Sequence, residues 1–209
     1  MVMNKETKYL KLMEAHNNNL KISNYNLDEK FKYFENDKLS ESKTLLYEIQ
    51  NKPKIFKKYK RGSIVKVRFG VNPGSEFSGD HYAIVLNKDD SIYNPVLNVI
   101  PITSVSNKYN INLGNIIYDE NKVNNLKTLL ENETNLENIK ELKKILNYFD
   151  KCKNKTSKAC IKHLNTISKL SIINPINKYD YTNKIVLSKN IMNKIDKLII
   201  NEYTEIKID

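Results

Sequence analysis

The chain has 209 residues, 40% hydrophobic and 28% charged, with 35 Lys+Arg against 24 Asp+Glu and a formal net charge of +11. That is apolar material for one core with additions and a cationic surplus suited to a polyanionic partner; it excludes wholesale disorder and, with no apolar run near the roughly 20 residues of a membrane span, a transmembrane chain. Two cysteines, Cys152 and Cys160, supply neither a disulfide framework nor a full zinc site, and the polar N-terminus lacks the apolar stretch of a secretory signal, so a cytoplasmic protein with no cofactor and no metal is expected.

Residues 1–59 read as a polar, mostly helical extension. Leu20 to Lys38 holds two short apolar clusters separated by turn-like asparagines, and Lys38 to Asn51 is a better helix, with Ser40 as its expected N-cap and Pro53 as its stop. Lys, Asn and Ile are heavily used, as in an AT-rich genome, so arginine is the sharper charge signal. The two arginines, Arg61 and Arg68, lie in the window 52–68, which has eight basic residues and no acidic one.

From residue 60 the pattern changes. Residues 62–69, 81–86 and 96–102 are rich in β-branched residues and read as strands, with Pro101 expected at an edge or bulge. No helical crossover joins them, which points to an antiparallel sheet or small barrel. Four of the five glycines fall between 62 and 79, so tight turns are expected there. Residues 119–156 form a helical insertion whose apolar stripe is Leu136, Ile139, Leu142, Leu146 and Phe149. Residues 159–173 read as strand again, as one or as two short ones. Ser188 can cap a final helix with Ile191, Ile195, Leu198 and Ile199 on its core face. The expected organisation is an extension over 1–59 and a domain over 60–209 that carries the insertion.

The chemistry concentrates in residues 68–85. Arg68, Asn72, Ser75, Glu76, Asp80 and His81 fall within fourteen positions, and Thr103 and Ser104 follow the third strand. A base, an acid and hydroxyl or cationic donors permit RNA cleavage by internal attack: a ribose 2′-oxygen attacks the adjacent phosphorus and an acid protonates the departing 5′-oxygen. Histidine suits either proton transfer because its ordinary pKa is near 6.5. The same residues also permit a plainer reading, in which His81 is a strand histidine, Glu76 and Asp80 shape a turn, and Arg68 makes a structural ion pair.

The run GSIVKVRFGVNPGSEFSGDHYAIVLN, followed by PITS, resembles the MazF/PemK family of toxins, ribosome-independent mRNA endoribonucleases of toxin–antitoxin pairs. Gly62 stands at the family's first glycine, with Ser63 where Asp is usual. Gly74, Ser75 and Glu76 match the Gly-Ser-Glu run, Gly79 matches, and His81 stands where the family has its catalytic arginine. Thr103 matches the catalytic threonine. His163 to Ser168 is similar to the family's C-terminal strand, and residues 188–203 to its final helix. The resemblance implies an α+β fold built on a small antiparallel SH3-like barrel with a C-terminal helix. It implies a homodimer, an acidic antitoxin partner and an RNA substrate, with His81, Thr103 and Glu76 catalytic and Arg61, Arg68, Asn72, Ser75, Asp80, Ser104, His163 and Thr166 in RNA binding.

Two further readings stay open at this point. A non-catalytic RNA- or DNA-binding module on the same barrel accounts for the charge, and a toxin that poisons a protein target such as a topoisomerase accounts for the fold.

Overall fold

The structure is a computed structural model that describes residues 5–25, 28–105 and 110–206. It comprises two units: one holds residues 1–52 and the loop 69–79, the other residues 53–68 and 80–209.

The first unit carries α1 (Lys5–Ser23), a 3-10 turn (Glu29–Phe31) and α2 (Phe34–Asn51). α2 begins before the expected cap. Ser40 lies inside it and gives its carbonyl to the Thr44 hydroxyl at 2.9 Å. Burial of Phe34, with the Lys38 ammonium 5.7 Å from its ring, starts the helix a turn earlier. The stop is as expected: Lys52 adopts a left-handed conformation, its N–H caps Glu48 O, and Pro53 follows. α1 buries none of its residues.

The second unit is an antiparallel sheet with helices, an α+β arrangement. Its strands are β1 (Ile64–Arg68), β2 (Asp80–Val85), β3 (Val96–Thr103), β4 (Asn110–Gly114), β5 (Ser157–Cys160) and β6 (Asn165–Ser168). The order is β1-β2-β3-β5-β4, and β6 also pairs with β3. β3 is therefore central, although Pro101 was expected to mark an edge. The proline is tolerated because β6 pairs with β3 only over Val96–Val99 and β5 only from Ile102. Pro101 falls in the gap between those ladders, where its missing N–H is not needed.

β5 and β6 are two short strands, separated by a 3-10 turn at Ile161–His163. Ala159 faces Ile102, and in that register His163 would face Asn98. Instead Thr166 does; the three residues of the turn make the difference. His163 is thus in a turn, not in the strand expected to start with it. β4 was not read as a strand, because Asn110 to Gly114 has the composition of a loop. Its pairing with β5 makes it one.

The ladders among the described residues do not close into a barrel. Past β6 the chain returns to the β1 segment only through isolated bridges, Val67 to Ile172 and Ser63 to Val186, and the Ile173 N–H donates to Lys66 O at 2.8 Å.

One face of the sheet packs Ile64, Ile84, Ile100, Ile102 and Ala159 against Met192 and Ile195 of α5 (Lys189–Tyr203), which Ser188 caps. Leu198, expected in this seam, is exposed, and Met192 fills it. The insertion forms α3 (Glu120–Asn132) and α4 (Leu136–Cys152). Leu142, Leu146 and Phe149 of its stripe are buried; Leu136, in the first turn, is exposed. Phe149 stacks on Tyr181 with ring centroids 4.3 Å apart.

Candidate functional site

β1 and β2 pair Val67 with His81 and Arg68 with Asp80. Side chains alternate across a strand, and directly opposed residues share a face. Arg68, Asp80 and Tyr82 therefore lie on one face; Val67, His81 and Ala83 lie on the other. Arg68 Nε donates to Asp80 Oδ1 at 3.3 Å. The guanidinium and this carboxylate are engaged with each other, on the opposite face from His81.

On the same face as Arg68, Tyr82 accepts a hydrogen bond from the Tyr148 hydroxyl at 2.6 Å, and the Lys66 ammonium lies 5.0 Å from the Tyr148 ring. Burial, first of all, raises the pKa of both phenols well above the usual tyrosine range. Both stay neutral, and this pair anchors α4 of the insertion to the residue next to His81.

β2 and β3 pair Ala83 with Pro101, Ile84 with Ile100 and Val85 with Val99. This ladder ends at Ala83 and Pro101, and His81 and Thr103 each lie two residues beyond its last pair. Both are half-buried. The Thr103 hydroxyl oxygen accepts the Val105 N–H at 3.1 Å, and Ser104 beside it is exposed. Thr103 in turn faces Lys158 of β5, which faces Asn112 of β4. The result is a polar cross-strand row: Thr103, Lys158, Asn112. Lys158 and Asn112 were missed in the sequence. No motif marks them; their place follows from the register of β5 between β3 and β4.

The loop 69–79 is built by its own hydrogen bonds. The Phe69 N–H donates to Gly79 O at 3.0 Å and the Gly79 N–H to Gly70 O at 2.7 Å. Gly79 has φ +84, a conformation that a side chain would strain. Asn72 staples the loop: its Nδ2 donates to Phe69 O and Phe77 O at 3.0 and 2.8 Å, and its N–H to Ser78 Oγ at 3.0 Å. Asn72 is thus committed to loop shape. Ser75 and Glu76 are exposed at the tip, where the Glu76 N–H donates to Pro73 O at 3.2 Å.

Arg61, expected on RNA, is structural. It donates to Leu86 O and pairs with Asp196, tying the end of β2 to α5. Thr166 donates to Asn98 Oδ1 at 2.7 Å across the β6–β3 ladder, and His163 is half-buried in its turn. Of the basic window before β1, Lys52, Lys54, Lys57, Lys58 and Lys60 are exposed. The backbone of the segment is held in place: the Phe56 N–H donates to Ile92 O at 2.7 Å and the Tyr59 N–H to Asp90 Oδ2 at 2.8 Å.

The family model of PemK-like, MazF-like toxins of type II toxin–antitoxin systems matches residues 60–169, just over half of the chain. The chain belongs to this family. No curated protein matches it. The matched range takes in all six strands and the insertion and leaves out α1, α2 and α5. A type II toxin implies an antitoxin partner. Gly62, the first glycine of the family run, has φ +81, and a Cβ there would lie 3.3 Å from Leu187 O and from Met192. A side chain at this position would therefore be strained by its φ and crowded against the start of α5. Among the described residues no helix is long and apolar enough to cross a membrane, and no three His, Cys, Asp or Glu side chains gather as metal ligands.

Proposed function

We propose that this PemK-like toxin is an endoribonuclease that cleaves single-stranded RNA without a metal ion. The 2′-oxygen loses its proton and bonds to the adjacent phosphorus. The bond from phosphorus to the 5′-oxygen breaks, and that oxygen takes up a proton. The products are a 2′,3′-cyclic phosphate and a 5′-hydroxyl end. Family membership supports the reading, and the observation behind it is that His81 and Thr103, both half-buried, each lie two residues beyond the same end of the β2–β3 ladder. His81 carries one proton transfer, and Thr103 donates its hydroxyl to a phosphate oxygen in which charge accumulates. Glu76 is assigned the other transfer on the family motif alone.

The same reading takes the sheet as an SH3-like barrel, the toxin domain as residues 60–209 behind the extension 1–59, and the working form as a cytoplasmic homodimer inhibited by an acidic antitoxin. For RNA binding it keeps the exposed Ser75 and Ser104 and the lysines before β1. Arg61, Arg68, Asp80, Asn72 and Thr166 serve the protein's own structure.

Purified protein incubated with a long mRNA in excess EDTA tests the reading. Discrete fragments with 2′,3′-cyclic phosphate ends are expected. Strict dependence on a divalent ion, or equal cleavage of DNA, overturns it. Tight RNA binding with no cleavage identifies a non-catalytic module instead.

A further inference from the structure

The proposed reaction gathers negative charge on the phosphate, and both arginines of the chain are engaged elsewhere, Arg68 with Asp80 and Arg61 with Asp196. His81 and Thr103 bring no permanent charge. The cation of the cross-strand row is Lys158, on the strand next to Thr103. Lys158 is half-buried, and among the described residues no carboxylate pairs with it. Directly opposed side chains have Cβ atoms roughly 4.5–5.5 Å apart, so Lys158 lies beside Thr103 on one face of the sheet. A phosphate seated over Thr103 lies within reach of the Lys158 ammonium.

We infer that Lys158 is the phosphate-binding cation of the site: its ammonium holds a non-bridging oxygen of the scissile phosphate and stabilises the charge that develops there. This inference rests on the endoribonuclease reading and adds to it a substrate contact from β5, a strand that carries none of the chemistry evident in the sequence. A charge-assisted contact of this kind is stronger than one between neutral groups.

The test uses full-length protein and an RNA oligonucleotide spanning a mapped cleavage position. Lys158→Met and Lys158→Gln remove the charge; Lys158→Arg keeps it. Both neutral forms are expected to cut at least about tenfold more slowly in single turnover, with unchanged melting temperature, and the arginine form to keep most of the rate. On an uncut 2′-deoxy analogue, a neutral methylphosphonate at the scissile position should weaken binding by the natural protein. It should have little effect on the neutral variants, since the contact it removes is already gone. Neutral variants that cut as fast as the natural protein, or that lose as much affinity to the methylphosphonate, overturn the inference and leave the endoribonuclease reading standing. A natural protein that cuts no RNA overturns both.

Discussion

His81 and Arg68 stand thirteen positions apart in the sequence and one pair apart in the sheet, yet they face opposite ways. The sequence brings Arg68, Asp80 and His81 together as one cluster; pairing of Arg68 with Asp80 and of Val67 with His81 divides it. Which residues share a face depends on the register, and register is a property of two strands that neither displays alone. The glycines were more legible, since Gly62 and Gly79 both take the positive φ that their spacing foretold. If His81 transfers a proton, His81→Ala should lower the single-turnover rate by roughly a hundredfold or more with RNA affinity nearly intact. The natural protein should show a limb in its pH–rate profile attributable to an imidazole, and the alanine form should lose it. A stable His81→Ala form that cuts normally would make the residue a strand histidine and nothing more.

At the scale of elements, strands 62–69, 81–86 and 96–102, the insertion and the final helix were all readable from periodicity. β4 and the offset of β6 from β5 were not, because both come from pairing and from a three-residue turn. Nor was the tie that holds the basic segment before β1. Lys169, just after β6, donates to both oxygens of Asp90 at 2.8 Å and to Ser91 O at 3.0 Å, and both side chains are fully or almost fully buried. Burial by itself raises the Asp90 pKa; the Lys169 ammonium and the Tyr59 N–H outweigh it, and the net direction is downward. A carboxylate whose folded pKa lies below its unfolded value of about 3.9 stabilises the fold above that pH. That stability is lost as pH falls through the folded pKa. Lys169→Met strands the carboxylate and should cost about 3–5 kcal/mol at neutral pH. The pair replacement Asp90→Asn with Lys169→Met should flatten the fall of melting temperature below about pH 4. An acid limb as steep as in the natural protein would assign it to other carboxylates.

Across the whole molecule, the net charge of +11 was the first pointer to a polyanion, but the charges do not all serve it. The two arginines hold protein groups, and Lys169 is buried. The exposed lysines of the basic window before β1, Lys52, Lys54, Lys57, Lys58 and Lys60, are the ones fit to track an RNA backbone. Replacing all five with glutamine should reduce the slope of log K against log[salt] by about 0.7 for each lost contact on a single strand, and an unchanged slope would show that they face bulk solvent. Composition could indicate the kind of partner; it took the fold to show which cations are free to meet it.

The central claim is that a ribose 2′-oxygen is the nucleophile. Its most direct measurement uses an RNA oligonucleotide cut at a mapped position and its twin with a single 2′-deoxy ribose on the 5′ side of the scissile phosphate, both in EDTA. The account predicts that the first yields a 2′,3′-cyclic phosphate and a 5′-hydroxyl end while the second binds equally and stays whole. Cleavage of the deoxy twin at a comparable rate would contradict it, because the attacking oxygen would then have to come from water.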